Sequence, residues 1–307
     1  MKAPPCSFGP KRTTMVFVNK SIEKIPCSVV LIARNEAGHI ARAVASAAEF
    51  AETVVVDGGS TDNTVAIAEA AGARVVKRPW TNFSDQRNYS LAQAQHDWVL
   101  VLDADEAITP ALTGWVREFF AAGRDKAAPW GYKIRRAEYF IGKRILGACW
   151  NPSFQDRFFL RAKASYVGEI HEYPLVEGGM VNAPEEMLIE HNPNITAESF
   201  FDKMNRYTTI EAFDRYRAGQ RTSLPHLGVV FFATWWKNYF YYKGYRDGAH
   251  GFVICLMEAV SRTVRHIKLW QIQEMHRLGK AEHLPDPRRA LEGSQSRAME
   301  SKAASRP

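Results

Sequence analysis

Asp103 and Asp105 stand two residues apart where an uncharged run, Trp98 to Leu102, comes to its end. Such a run reads as a strand buried on both faces, as inside a parallel sheet. Carboxylates at the C-terminal edge of a central strand lie where open α/β sheets bind ligands. If the chain stays extended through them, alternation sends both to one side. Two hard oxygen ligands aimed at one spot suit Mg2+ or Mn2+, with a diphosphate supplying further oxygens. The plainer alternative is a solvated acidic turn.

Asp57 repeats the theme. It ends a second apolar run from Thr53 and leads into Gly58-Gly59-Ser60-Thr61-Asp62. The glycines permit a tight turn and close backbone approach to a ligand, and Ser60, Thr61 and Asp62 can each cap a following helix. The loop is not GxGxxG, so the dinucleotide fingerprint is absent. An acid at this strand end suits a base or a ribose. Gln86-Arg87-Asn88 adds a guanidinium fork able to pair with phosphate oxygens.

Alternating elements must position these groups. Cys27 to Ala33, Thr53 to Asp57, Arg74 to Lys77 and Trp98 to Leu102 read as strands. Between them, Ala37 to Phe50, Val65 to Ala71 and Phe83 to Gln95 read as helices, with Gly72 ending the second. Strand alternating with helix indicates a doubly wound, mostly parallel α/β sheet. Beyond about residue 125, Gly131 to Arg136 and Phe154 to Arg161 read as strands of a smaller mixed or antiparallel region. Arg157 and Arg161 fall there, on a solvated strand face or against an acceptor phosphate. Helical periodicity returns at Ala197, with Phe200, Phe201, Met204, Tyr207 and Ile210 on one face.

Taken together, strand–Asn35-Glu36–helix, strand–Asp57-Gly-Gly-Ser-Thr-Asp62–helix, Gln86-Arg87-Asn88 and Asp103-Ala-Asp105-Glu106 follow one another in a specific order. The stretch resembles the family-2 inverting glycosyltransferases with a GT-A fold. With Gly168-Glu169-Ile170-His171-Glu172 and Asn205-Arg206-Tyr207, it looks more narrowly like the lipopolysaccharide-core β-glucosyltransferase branch. The resemblance implies roles by position. Asn35, Glu36, Asp57, Arg87 and Asp103 would bind the nucleotide. Asp105 would hold a divalent metal, Mg2+ or Mn2+, with His171 as its neighbour. Glu172 would be the catalytic base and Glu169 the runner-up, although alternation can turn Glu169 to the other face. Many relatives have Glu-Asp where this chain has His171-Glu172.

The implied organisation is a flexible leader (1–25), a nucleotide-sugar-binding half (26–125), an acceptor-side half (126–195), a helical membrane-facing appendix (196–280) and a disordered tail (281–307). The implied donor is a nucleoside-diphosphate sugar, UDP-glucose. The implied acceptor is a lipid-linked saccharide, reached from the cytoplasmic face of the inner membrane.

Composition agrees with that picture. The net charge of +7 points to an anionic partner. No zinc-finger spacing or RNP-type stretch suggests nucleic acid. Cys6, Cys27, Cys149 and Cys255 form no CxxC pair and read as reduced thiols. The aromatic stretch from His226 to Tyr245 is interrupted by Lys237, Asn238 and Lys243, too polar for a membrane span but suited to an anionic bilayer surface. Trp235, Trp236 and Tyr239 are the expected contacts; the alternative is an aromatic helix packed onto the catalytic domain. Two rivals stay open: a nucleotidyltransferase, and a non-catalytic peripheral membrane protein on the same scaffold.

Overall fold

Apolar runs with β-branched residues become the strands of one sheet, described by a computed structural model over residues 23–168, 172–193 and 196–285. β1 (Ile25–Ala33), α1 (Ile40–Ser46), β2 (Phe50–Asp57), α2 (Thr64–Ala70), β3 (Arg74–Lys77), α3 (Phe83–Gln93) and β4 (Trp98–Asp103) alternate as expected. There follow β5 (Glu106–Ile108), α4 (Pro110–Ala121), β6 (Gly131–Phe140), β7 (Lys143–Arg144) and β8 (Ser153–Leu160). Next come β9 (Ala164–Val167), β10 (Tyr173–Val176), β11 (Val181–Asn182) and β12 (Leu188–His191). The helices α5 (Ala197–Arg217), α6 (Leu224–Trp236) and α7 (Ala249–Arg277) complete the order.

The main sheet runs β3-β2-β1-β4-β8-β6-β12-β5. β3, β2, β1 and β4 are mutually parallel, whereas β8 is antiparallel to both β4 and β6. The expected fold class holds: a doubly wound α/β sheet with acceptor-side strands and a helical appendix. The sheet stays mostly parallel: β6 and β12 run in the direction of β4, and on this path β8 and β5 run against it. The strand order reverses between β1 and β4. That reversal opens a crevice at their C-terminal ends, where ligands bind such sheets.

Alternation explains why these strands read as unbroken apolar runs. Val29 and Leu31 of β1, with Leu100 and Leu102 of β4, join Leu112, Val116 and Phe119 of α4 in one cluster. Val30, Val99 and Val101 point the other way, toward Leu91 of α3. Both faces are covered, so neither strand has a polar side.

Three expectations need correction. The helix read over Ala37 to Phe50 is confined to Ile40–Ser46, because Phe50 is buried and already pairs with Ile25 in the sheet. Asp103 and Asp105 do not share an extended segment: a turn at 104–105 breaks it, and the Glu106 carboxylate accepts the Asp103 amide at 3.0 Å. Trp235 and Tyr239 are not surface contacts. Their rings stack at 5.0 Å and pack against the cluster of Phe140, Ile145 and Ile254, leaving Trp236 outside.

The appendix is fastened to the sheet domain. Asp247, fully buried, accepts the amides of Leu146 and Gly147 at 2.9 and 2.7 Å. Asn238, in a π-helical turn at Lys237–Tyr241, accepts the Cys149 amide at 3.1 Å. A Cβ on Gly251 would stand 1.9 Å from the Gly244 carbonyl oxygen, so the start of α7 packs directly on backbone. Most of the expected leader and tail, and Cys6, lie outside the described residues.

Candidate active site

The first half of the site is a pair of loops sewn together by side chains. Asn35 takes the left-handed conformation, φ 57°, which Asn tolerates better than most residues. Its Oδ1 accepts the Thr61 amide at 2.8 Å, and its own amide donates to Ser60 Oγ at 2.9 Å. The Glu36 amide donates to Thr64 Oγ1 at 2.7 Å. Asp57 is buried, and its Oδ2 accepts the amides of Gly59 and Ser60 at 3.0 and 3.1 Å. Ser60 and Thr61 therefore bind these residues rather than capping α2. Asp62 takes the Thr64 amide at 3.0 Å, while the cap position itself is Asn63. The loops frame a cleft of about 780 Å³, with Arg34, Asp57, Asp62, Lys77, Arg78 and Trp80 among its lining. A Cβ on Gly58 would come within 2.8 Å of the Trp80 ring, which explains a glycine there.

The second half is a chain of buried and half-buried charges at the end of β4. Arg87, on α3, pairs with Asp103. Arg157, from β8, reaches Asp103 at 2.5 Å and Glu106 at 2.7 Å. Arg136, from β6, joins Glu106 at 3.5 Å and Glu138 at 2.5 Å. His191, ending β12, holds Glu138 through Nδ1 at 2.5 Å and lies 3.4 Å from Asp105 through Nε2. Each cation has a carboxylate on at least one side, the condition under which charge survives burial.

Burial opposes ionisation along this chain, and neighbours decide the result. At Asp103 burial is overcome by the Arg157 and Arg87 guanidiniums, which hold the carboxyl well below its usual range. Burial of Asp105 is likewise outweighed by the His191 hydrogen bond and charge, and its carboxyl is lowered. Glu106 goes the other way: burial raises it despite Arg157. For His191 burial is outweighed by Asp105 and Glu138, which lift it to about 9.

Arg157 is 6% exposed, so it does not lie on a solvated strand face. His191, Glu138 and Arg136 were not singled out from the sequence. The available signal was slight: a short Leu188-Ile189 run closed by Glu190-His191 before Asn192-Pro193. Antiparallel register sets His191 against Glu106, which puts the imidazole beside Asp105.

Glu172 lies beside these charges. With Arg87, Asp103, Lys133, Arg136 and Arg157 it lines a pocket of about 250 Å³. Its charge reaches the phenols of Tyr166 and Tyr207; burial first, and then that charge among others, raises both. Glu169 and His171 lie outside the described residues. The structure thus gathers Arg87, Asp103 and Glu172 in one pocket. Asn35, Glu36 and Asp57 build the neighbouring loops, and Asp105 joins the charge chain through His191.

Among the described residues no group of three or more His, Cys, Asp or Glu side chains is arranged to hold a metal ion. The ionised Asp105 carboxylate offers a hard oxygen donor, whereas His191 is a cation whose two ring nitrogens face Glu138 and Asp105. Such a donor fits a Mg2+ or Mn2+ ion that keeps diphosphate oxygens and waters for its other positions.

Residues 28–173 match the model of Glycosyl transferase family 2. The chain is 28% identical over 257 residues to the lipopolysaccharide core biosynthesis glycosyltransferase LpsC of Rhizobium meliloti, covering 81% of this chain and 94% of that protein. It is 29% identical over 263 residues to an uncharacterized glycosyltransferase of Rickettsia conorii, covering 82% and 92%. Among solved structures it is similar to glucosyl-3-phosphoglycerate synthase from Mycobacterium tuberculosis in complex with Mn2+, UDP-glucose and phosphoglyceric acid. That match has 21% identity, 64% and 81% coverage and a TM-score of 0.41. Another is S. aureus TarS residues 1–349, at 15% identity, 82% and 91% coverage and a TM-score of 0.41. Both structural likenesses are loose.

Proposed function

We propose that this chain, whose residues 28–173 carry a glycosyl transferase family 2 domain, is an inverting glycosyltransferase. Its donor is a nucleoside-diphosphate sugar, UDP-glucose in our reading. Its acceptor is a lipid-linked saccharide of the lipopolysaccharide core or a similar glycolipid, met at the cytoplasmic face of the inner membrane. The similarity to LpsC over most of both chains supports that acceptor class. The family match supports sugar transfer over nucleotidyl transfer.

One observation carries the mechanism: a single pocket lined by Glu172 and by four basic side chains, Arg87, Lys133, Arg136 and Arg157. The adjoining cleft at Asp57 takes the nucleoside. Glu172 accepts the proton of the acceptor hydroxyl as that oxygen attacks the anomeric carbon. Attack comes from the face opposite the diphosphate, so the bond to the leaving oxygen breaks as the new one forms. The negative charge released falls among the four cations, which are held in place by Asp103, Glu106 and Asp156. A divalent cation, when bound, would supply further positive charge to the leaving diphosphate, and Asp105 would hold it.

Glu172→Gln keeps the shape and removes the basicity. Donor affinity should stay within about twofold, while transfer to the acceptor falls by roughly 10²–10⁴. Joint loss of affinity and turnover would instead make Glu172 a diphosphate or metal contact.

A further inference from the structure

α6 carries no charged residue other than what His226 can contribute, and one of its faces is covered by nothing among the described residues. Val229, Phe232 and Trp236 recur at helical spacing and are 62, 70 and 60% exposed; Phe240 and Tyr241 extend the stripe at 47 and 69%. α7 adds Phe252, Val253 and Leu256, also exposed. The two sets are joined through Trp235, whose ring lies 6.1 Å from that of Phe240 and 5.9 Å from that of Phe252. Contiguous apolar surface on this scale marks a docking site.

The surface is held stiffly. Asn238 and Asp247 anchor it to the loop at 146–149 through the backbone amides described above. The aromatic rings therefore belong to a fixed face.

The charge around this face has one sign. Between Arg215 and Arg246 there is no Asp or Glu, while Arg217, Arg221, Lys237 and Lys243 fall within the interval. Lys237, Lys243 and Arg246 border the exposed rings and are themselves exposed. Among the described residues no helix is long and apolar enough to cross a membrane. Exposed aromatic rings bordered by cations, on a helix that cannot span, have the chemistry of a surface lying in the headgroup layer.

The geometry points to the α6 face, the π-helical turn and the first turns of α7 as one docking surface for an anionic bilayer. Phe232, Trp236, Phe240 and Tyr241 enter the acyl boundary, and Lys237, Lys243 and Arg246 meet lipid phosphates. The inference rests on the lipid-linked acceptor proposed above and deepens it. α5, packed along α7, brings Tyr207 within reach of the Glu172 charge, so a bilayer seated on this face stands in fixed relation to the basic pocket.

Co-sedimentation tests it with the full chain and no donor. Vesicles of phosphatidylglycerol and phosphatidylethanolamine should bind the protein, and vesicles of phosphatidylcholine alone should bind it at least tenfold more weakly. Phe232→Ser with Trp236→Ser and Phe240→Ser should lower binding to the anionic vesicles by tenfold or more. Lys237→Gln with Lys243→Gln and Arg246→Gln should lower it by about fivefold per residue and flatten its salt dependence. Should the aromatic variant misfold, brominated lipids answer the same question in the wild type, by quenching tryptophan fluorescence on anionic vesicles. Three results overturn the proposal: an aromatic variant that binds like wild type, equal binding to both vesicle types, or a wild-type dimer that the aromatic variant makes monomeric. The last would assign the face to a second copy of the chain. Vesicle binding without sugar transfer would defeat only the proposed reaction; transfer to a lipid-free acceptor without vesicle binding would defeat only this docking surface.

Discussion

The sheet domain and the helical appendix treat charge in opposite ways. At the end of β4, the cations Arg87, Arg157, Arg136 and His191 alternate with the carboxylates Asp103, Glu106, Glu138 and Asp105 in a buried chain. In the appendix, Arg217, Arg265 and Arg277 pair with Asp214, Glu211 and Glu274, but Lys237, Lys243 and Arg262 make no ion pair among the described residues. The first arrangement is complete in itself and fixes side chains around a pocket. The second is incomplete in itself and looks outward. Paired charge serves geometry here, and unpaired charge serves a partner.

Removing one cation from each region sharpens the contrast most. Arg157→Met preserves volume but takes a buried charge from between Asp103 and Glu106. It should cost about 3–5 kcal/mol of unfolding free energy, as expected when one member of a buried ion pair is lost. Arg262→Met, on the appendix surface, should change stability by less than about 0.5 kcal/mol. Urea unfolding at neutral pH measures both. Equal costs would mean that the buried chain is no better organised than the surface.

A smaller effect comes from the crowding of like charge. His266 has its pKa lowered to about 4, first by burial and then by Arg265, His226, Arg215 and Arg262. It is neutral in the folded protein, whereas the unfolded chain takes up a proton near pH 6.5. Its contribution is therefore present above about pH 6.5 and is lost as pH falls toward 4. The ring is only partly buried, so solvent screening reduces the effect to about 1 kcal/mol. His266→Gln should lose less stability than wild type between pH 7 and pH 5. Parallel urea midpoints in the two proteins would show that the cations of the appendix do not crowd the ring.

Much of the sheet was legible because its physics is local. β1 and β4 are covered on both faces, so the sequence there is continuously apolar, and the acids that end β2 and β4 stand out. The charge chain was illegible because its links are distant: Arg157 meets Asp103 across 54 positions and His191 meets Glu138 across 53. Nothing local to Arg157 distinguishes a solvated arginine from a buried one. The aromatic stretch failed differently. α6 is apolar all round, so periodicity could not tell inward Trp235 from outward Trp236. Only packing against Phe140 and Ile254 makes that choice.

The account stands or falls on whether the end of β4 binds a nucleotide sugar with metal. Calorimetry of UDP-glucose in the presence and absence of Mn2+ tests this on the wild type and on Asp105→Asn, a change that keeps the side chain's size. We expect Mn2+ to tighten binding to the wild type by at least tenfold, about 1.4 kcal/mol, and to leave the variant nearly unchanged. Equal Mn2+ dependence in the two proteins would remove Asp105 from the metal site. No heat of binding from UDP-glucose, with or without Mn2+, would contradict the choice of donor.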